Sequence, residues 1–157
     1  MDYTPVALGE HVSLLPFAQH FLAAHPQHWQ QFFMLLPLEI REDVPASALE
    51  KWLQGLPENH ESLRMAFAPG HATVLAEPQK IRLGFCDYDE SVEQAVVLRE
   101  AVARIIARLN PETGHTLGAV LVQQGGRRIL LLAAHHLVVD ALSLEALRQE
   151  LVHYCRT

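Results

Sequence analysis

His135 and His136 stand side by side, with Asp140 four residues later and Ser143 just beyond, in the run His135-His136-Leu137-Val138-Val139-Asp140-Ala141-Leu142-Ser143. An imidazole titrates near neutral pH, with an ordinary pKa of about 6.5, so a histidine held at the mouth of a fold can take up and return a proton. The residues before the pair, Arg128-Ile129-Leu130-Leu131-Leu132-Ala133-Ala134, form a short apolar run. Such a run predicts a strand covered on both faces, and it puts the histidines at the strand's exit. Side chains alternate along a strand, so the two rings are expected to point in opposite directions. One imidazole is then structural and the other free for chemistry, with Asp140 turned back by the following bend. A metal site made from this pair is disfavoured, because three ligands would have to converge from residues that diverge. The other histidines, His11, His20, His25, His28, His60, His71, His115 and His153, have no paired ligand spacing and read as solvated surface.

The elements that must carry these residues follow from periodicity. A short helix is expected over 16–24, with Phe17 and Phe21 at i and i+4, and a strand over 29–38 ended by Pro37. A helix starting near Pro45 puts Leu49, Trp52, Leu53 and Leu56 on one face. Strands are expected over 63–67, 72–76 and 81–85. Asp89 or Ser91 is the expected cap of a helix whose apolar stripe is Leu98, Val102, Ile105 and Leu109. Segments 116–123 and 127–136 form a hairpin across Gln124-Gly125-Gly126, and a helix from Ser143 to Tyr154 carries Leu144, Leu147 and Leu151. Ser143 is explained by capping that helix. Together these elements predict an α/β fold, a two-layer or sandwich domain with a mixed or antiparallel sheet and packed helices. Gly125-Gly126 and Gly70 lack the strand-to-helix setting of a phosphate-binding loop.

The chain has 157 residues, a formal net charge of −6 and 12 basic residues spread thinly along it. That length suits one domain able to bury about 70% of its unfolded surface. Scattered basic residues argue against a nucleic-acid surface or an anionic-membrane anchor. No apolar run approaches the ~20 residues needed to cross a bilayer, and the start lacks the basic segment of a secretory signal, so a cytoplasmic protein is expected. Cys86 and Cys155 have neither metal-ligand nor redox spacing, and reduced thiols are the default.

The segment His135-His136-Leu137-Val138-Val139-Asp140 resembles the HHxxxDG motif of the condensation superfamily of nonribosomal peptide synthetases, and is closest in motif to its epimerization-type branch. Asn59-His60-Glu61-Ser62-Leu63-Arg64-Met65-Ala66-Phe67 resembles the family's RHExLRTxF segment. His28-Trp29-Gln30-Gln31 before an apolar strand, and Leu15-Pro16 with Phe21, follow the same course more loosely. The resemblance implies a half domain similar to chloramphenicol acetyltransferase: the whole chain, residues 1–157, would be a single lobe resembling the N-terminal subdomain of a condensation or epimerization domain. In the complete domain two such lobes form a V around a tunnel. The resemblance makes His136 the catalytic residue, and makes His135, Asp140 and Arg64 its structural frame, with Arg64 pairing Asp140. Ala141 stands where the motif has glycine, and it and Ser143 would line the tunnel or loop. No cofactor is implied, since the substrate is expected on the phosphopantetheine arm of a carrier protein. The implied partners are a peptidyl carrier protein and a second condensation-type lobe, or self-association through the exposed lobe face. Two readings follow. The first is a lobe acting on carrier-bound aminoacyl or peptidyl thioesters once completed by a second lobe. The second, motivated by Ala141 and the single lobe, is a degenerate, non-catalytic interaction or docking module within a synthetase assembly line.

Overall fold

The computed structural model describes residues 11–13, 33–68, 71–77, 79–139 and 144–156. Its main sheet has four strands in the order β2-β7-β6-β5: β2 (Phe33–Glu39), β7 (Arg127–His135), β6 (Leu117–Gln124) and β5 (Leu83–Tyr88). The first two pairings are antiparallel and β5 runs parallel to β6, so the sheet is mixed, as the interleaved elements predict. A smaller antiparallel sheet joins β1 (His11–Ser13), β4 (His71–Val74) and β3 (Met65–Ala68).

Strand β7 is the spine. Leu130 through Ala134 are all at most 2% exposed, which leaves no face of the strand in water and explains why the sequence shows an unbroken apolar run there instead of alternation. Leu130, Leu132 and Ala134 share one core with Leu49, Trp52, Leu53 and Leu56 of helix α1 (Ala46–Asn59), together with Leu147 and Leu151 of the closing helix α4 (Leu144–Arg156). Leu131 and Ala133, on the other face, pack with Val97, Ala101 and Ile105 of helix α2 (Gln94–Ala107). Helices therefore cover both sides of the sheet. The hairpin from β6 to β7 turns through Gly125-Gly126, and Gly125 has φ +60°, the left-handed value the first position of a II′-type turn requires. Among the described residues no helix is long and apolar enough to cross a membrane.

Four local expectations are corrected. Strand β2 passes through Pro37, which pairs with Leu131, and continues to Glu39. A proline is tolerated because β2 is an edge strand and needs no donor on its outer side. Leu63 and Arg64 belong to a 3-10 turn (Glu61–Arg64), and β3 begins only at Met65; Leu63 is apolar because it is buried in the main core, and a single buried residue carries no period. Asp89 does not cap α2, whose N-cap is Glu93 without a side-chain bond. Its carboxylate instead accepts the Ser91 N–H at 2.8 Å, which closes the preceding turn and lowers the Asp89 pKa. The buried stripe of α2 centres on Val97, Ala101 and Ile105, with Leu98, Val102 and Leu109 flanking it half-buried.

The outermost strand is tied to α2 by Tyr88, whose hydroxyl donates to Glu100 at 2.8 Å. Loss of hydration and that bond to a carboxylate raise the phenol's pKa to about 12. Because the folded value lies above the ordinary one of 10.0, the link is fully present below about pH 10 and is lost as pH rises through about 12. The difference between the alkaline ultraviolet titrations of the protein and of Tyr88→Phe should therefore show a midpoint near 12; a midpoint near 10 would remove the link. In the spine, Leu132→Ala should cost about 2–5 kcal/mol in urea unfolding, since neither face of the strand can collapse into the space.

Candidate functional site

Burial on both faces ends at His135. Its ring is 0% exposed, and its backbone N–H donates to the Thr116 carbonyl at 2.8 Å. Phe33, its cross-strand partner in register, meets the imidazole edge to face, with centroids 5.3 Å apart and planes at 87°. His135 is thus held from both sides, by Phe33 of β2 and by the Thr116 carbonyl just ahead of β6. Thr116 is invisible to sequence reasoning, because a backbone carbonyl acceptor leaves no residue-type signal. Its side chain is also buried, at 1% exposure.

The chain then changes conformation. His136 opens a single helical turn, α3 (His136–Val139). The strand alternation expected to separate the two rings therefore does not extend to His136, and the separation comes from the switch of strand into helix. Val138 of this turn is fully buried in the main core and pins it. His136 keeps part of its surface exposed while its Nδ1 is shut from solvent. One edge of the imidazole is thereby embedded in the protein.

Arg64 ends the 3-10 turn that leads into β3, and its carbonyl accepts the Leu75 N–H at 2.7 Å. Its Nε is buried and has no hydrogen-bond partner among the described residues. Asp140, Ala141 and Ser143 lie outside the described residues, as does the expected Arg64 to Asp140 pair. The helix expected over 16–24 and the segment 29–32 lie outside them too.

Two histidines expected on the solvated surface are in fact engaged. His60 Nε2 lies 2.9 Å from the Glu150 carboxylate, both side chains partly buried, so the end of α1 is joined to α4. His115 Nδ1 lies 2.9 Å from the Thr113 hydroxyl inside a tight turn. The His60 contact is hidden from sequence reasoning because it joins residues 90 apart, whereas the His115 contact is local to its turn. No group of three metal-ligating side chains comes together among the described residues, and Cys86 and Cys155 are both free thiols.

Comparison with known proteins agrees with this layout. A family model described as Condensation domain matches residues 10–157. A linear gramicidin synthase of Brevibacillus parabrevis is 31% identical over 155 residues, covering 90% of this chain and 2% of that protein. A surfactin synthase of Bacillus subtilis is 32% identical over 146 residues, covering 85% and 4%. Among solved structures, the epimerization domain from the third module of tyrocidine synthetase B superposes with a TM-score of 0.82 at 20% identity, over 99% of this chain and 36% of its own. The X-domain from teicoplanin biosynthesis gives a TM-score of 0.65 at 18% identity, over 85% and 29%. The chain thus spans a small fraction of the curated relatives and about a third of the matched domains.

The two histidines should separate in stability measurements. His135→Ala leaves a cavity between Phe33 and the core and should cost about 2 kcal/mol or more in urea unfolding, whereas His136→Ala, at a partly exposed position, should cost under about 1 kcal/mol. Equal losses would show that His136 is also a packing residue.

Proposed function

The chain belongs to the condensation domain family of nonribosomal peptide synthetases, and on that premise we propose that it forms the first lobe of a condensation- or epimerization-type domain. The whole chain, 1–157, is one such lobe, acting on aminoacyl or peptidyl thioesters carried by a peptidyl carrier protein when a second lobe completes the site. The observation that carries this reading is His136: a half-exposed imidazole at the exit of the central strand, anchored by a fully buried neighbour.

In this reading His136 is the catalytic residue. Nδ1 faces the protein, so Nε2 is the proton carrier. During condensation the acceptor amine attacks the thioester carbonyl, a C–N bond forms, the C–S bond breaks, and Nε2 passes the amine proton to the departing sulfur. In epimerization Nε2 removes the α-proton, and an acid on the second lobe returns one to the opposite face. Either path needs a positioned base with a pKa near the working pH, which a histidine supplies. It also needs water excluded and the reactants aligned, which the second lobe provides.

His135, Asp140 and Arg64 form the frame. Supporting this, the Arg64 Nε is buried and lacks a hydrogen-bond partner among the described residues, and an unpaired buried guanidinium nitrogen is costly. The Asp140 carboxylate is its counterpart, with Ala141 and Ser143 on the loop beside the substrate's pantetheine arm. The lobe brings no cofactor of its own. Its partners are the carrier protein and the second lobe, and in the absence of that lobe the same face supports self-association. The protein works in the cytoplasm.

Supplying the second lobe and a loaded carrier should give peptide bond formation or exchange of the α-configuration. His136→Ala should reduce turnover by about 10²–10⁴-fold, the range for loss of a general acid–base group, with a melting temperature lowered by no more than about 4 °C. Undiminished turnover by a folded His136→Ala protein would sink the assignment.

A further inference from the structure

Basic residues are thinly spread along the sequence, yet the fold gathers four of them. Lys80, Arg82, Arg104 and Arg108 line one cavity of about 650 Å³ at the outer edge of β5, beside the last turn of α2. The only carboxylate among its described lining residues is Glu77, and none of the four cations forms an ion pair among the described residues. This occurs on a chain whose net charge is −6. The helix dipole accounts for Arg104 and Arg108 at the C-terminal end of α2. It does not account for Lys80 and Arg82, which arrive from a separate segment and add repulsion to the same space.

The rest of the lining is mixed, with Gln79 and His115 beside apolar residues that include Phe85, Ile105 and Leu109. Gly84 and Gly118 are part of its lining; a methyl group on Gly84 would meet Val120 at 3.2 Å and sit 3.9 Å from Nη1 of Arg108, and the space above Gly118 is taken by Ile105 and Leu109. Phe85, 56% exposed, stands at the rim, and Arg104 donates to its carbonyl at 3.3 Å. That bond orients the guanidinium along the unpaired edge of β5. Neither His135 nor His136 lines the cavity. A concave site of this size, with four cationic side chains and an exposed aromatic ring at its rim, has room for a small anion that carries an organic body.

We propose that this cavity binds an organic phosphate: a dianionic head held by Lys80, Arg82, Arg104 and Arg108, and an apolar body lying against the exposed ring of Phe85. Guanidinium groups bind phosphate oxygens through paired, charge-assisted hydrogen bonds, and Arg104 and Arg108, one helical turn apart, present two such forks. The ligand also relieves the repulsion among the four cations. This site is separate from the proposed chemistry at His136 and does not rest on it.

The probe is 1-naphthyl phosphate, titrated calorimetrically into the intact chain at low salt, with 1-naphthol as the neutral comparison. The phosphate should bind at least about tenfold more tightly than the naphthol, and Lys80→Ala/Arg82→Ala should lose about tenfold, as expected for charge-assisted contacts. Both replaced side chains are exposed, so the variant should melt as the parent does. Lys51→Ala/Arg99→Ala removes the same charge from exposed positions off the cavity and should bind as the parent does. The proposal is overturned if phosphate and naphthol bind equally, if the two double variants lose affinity equally, or if a poly-glutamate peptide binds while 1-naphthyl phosphate does not. The last result would assign the cavity to an acidic chain.

Discussion

Double-sided burial of β7 is the constraint on which the rest of the structure depends. A strand with no face in water must have its backbone groups satisfied by strands on both edges, and β2 and β6 supply them along its length. Each of its faces must also be covered, which assigns α1 and α4 to one side and α2 to the other. The order of elements around the sheet follows from this requirement. So does the position of the site: the strand can remain doubly covered only until the chain turns away, and that point is the junction of His135 and His136.

At the junction the two imidazoles divide the work by environment and not by residue type. His135 is fixed by a strand pairing, a backbone hydrogen bond to Thr116 and the face of Phe33. Val138 fixes the far side of the helical turn in the same core that holds β7. His136 lies between these two anchors, so its backbone is set by buried residues on either side. Positioning of that kind is paid in advance by folding, and only a small part of it is local to the ring.

Legibility in the sequence tracks how much of each element's identity resides in its own residues. The spine, α1 and the β6 to β7 hairpin are readable because Leu130 to Ala134, the Leu49 to Leu56 face and Gly125-Gly126 each carry their reason for folding in place. Leu63 and Asp89 mislead because one buried leucine suggests a strand and one aspartate suggests a cap. In both cases a neighbouring turn competes successfully, through the 3-10 turn before Met65 and the Asp89 to Ser91 bond. His60 and its Glu150 partner are distant in sequence, and no local pattern announces such a pair. The histidine pair is legible as a motif. Its separation into buried and half-exposed rings is expected from strand alternation, a cause that the helical turn at His136 replaces.

The same logic applies to charge. Lys80 and Arg82 precede β5, while Arg104 and Arg108 close α2, and their convergence is a product of the parallel pairing of β5 with β6 and the packing of α2 beside it. A parallel edge strand is usually covered, because its outer row of N–H and C=O groups is otherwise open to adventitious pairing. Here one of those carbonyls, on Phe85, is occupied by Arg104, and the surrounding cations repel one another along the remaining edge. Positive charge at this edge therefore opposes strand addition while attracting anions. The two effects have one cause, and substitutions that remove the charge should be judged against both: a loss of anion affinity accompanied by new self-association would mean that the cations also guard the edge, whereas a loss of affinity alone would leave binding as their only role.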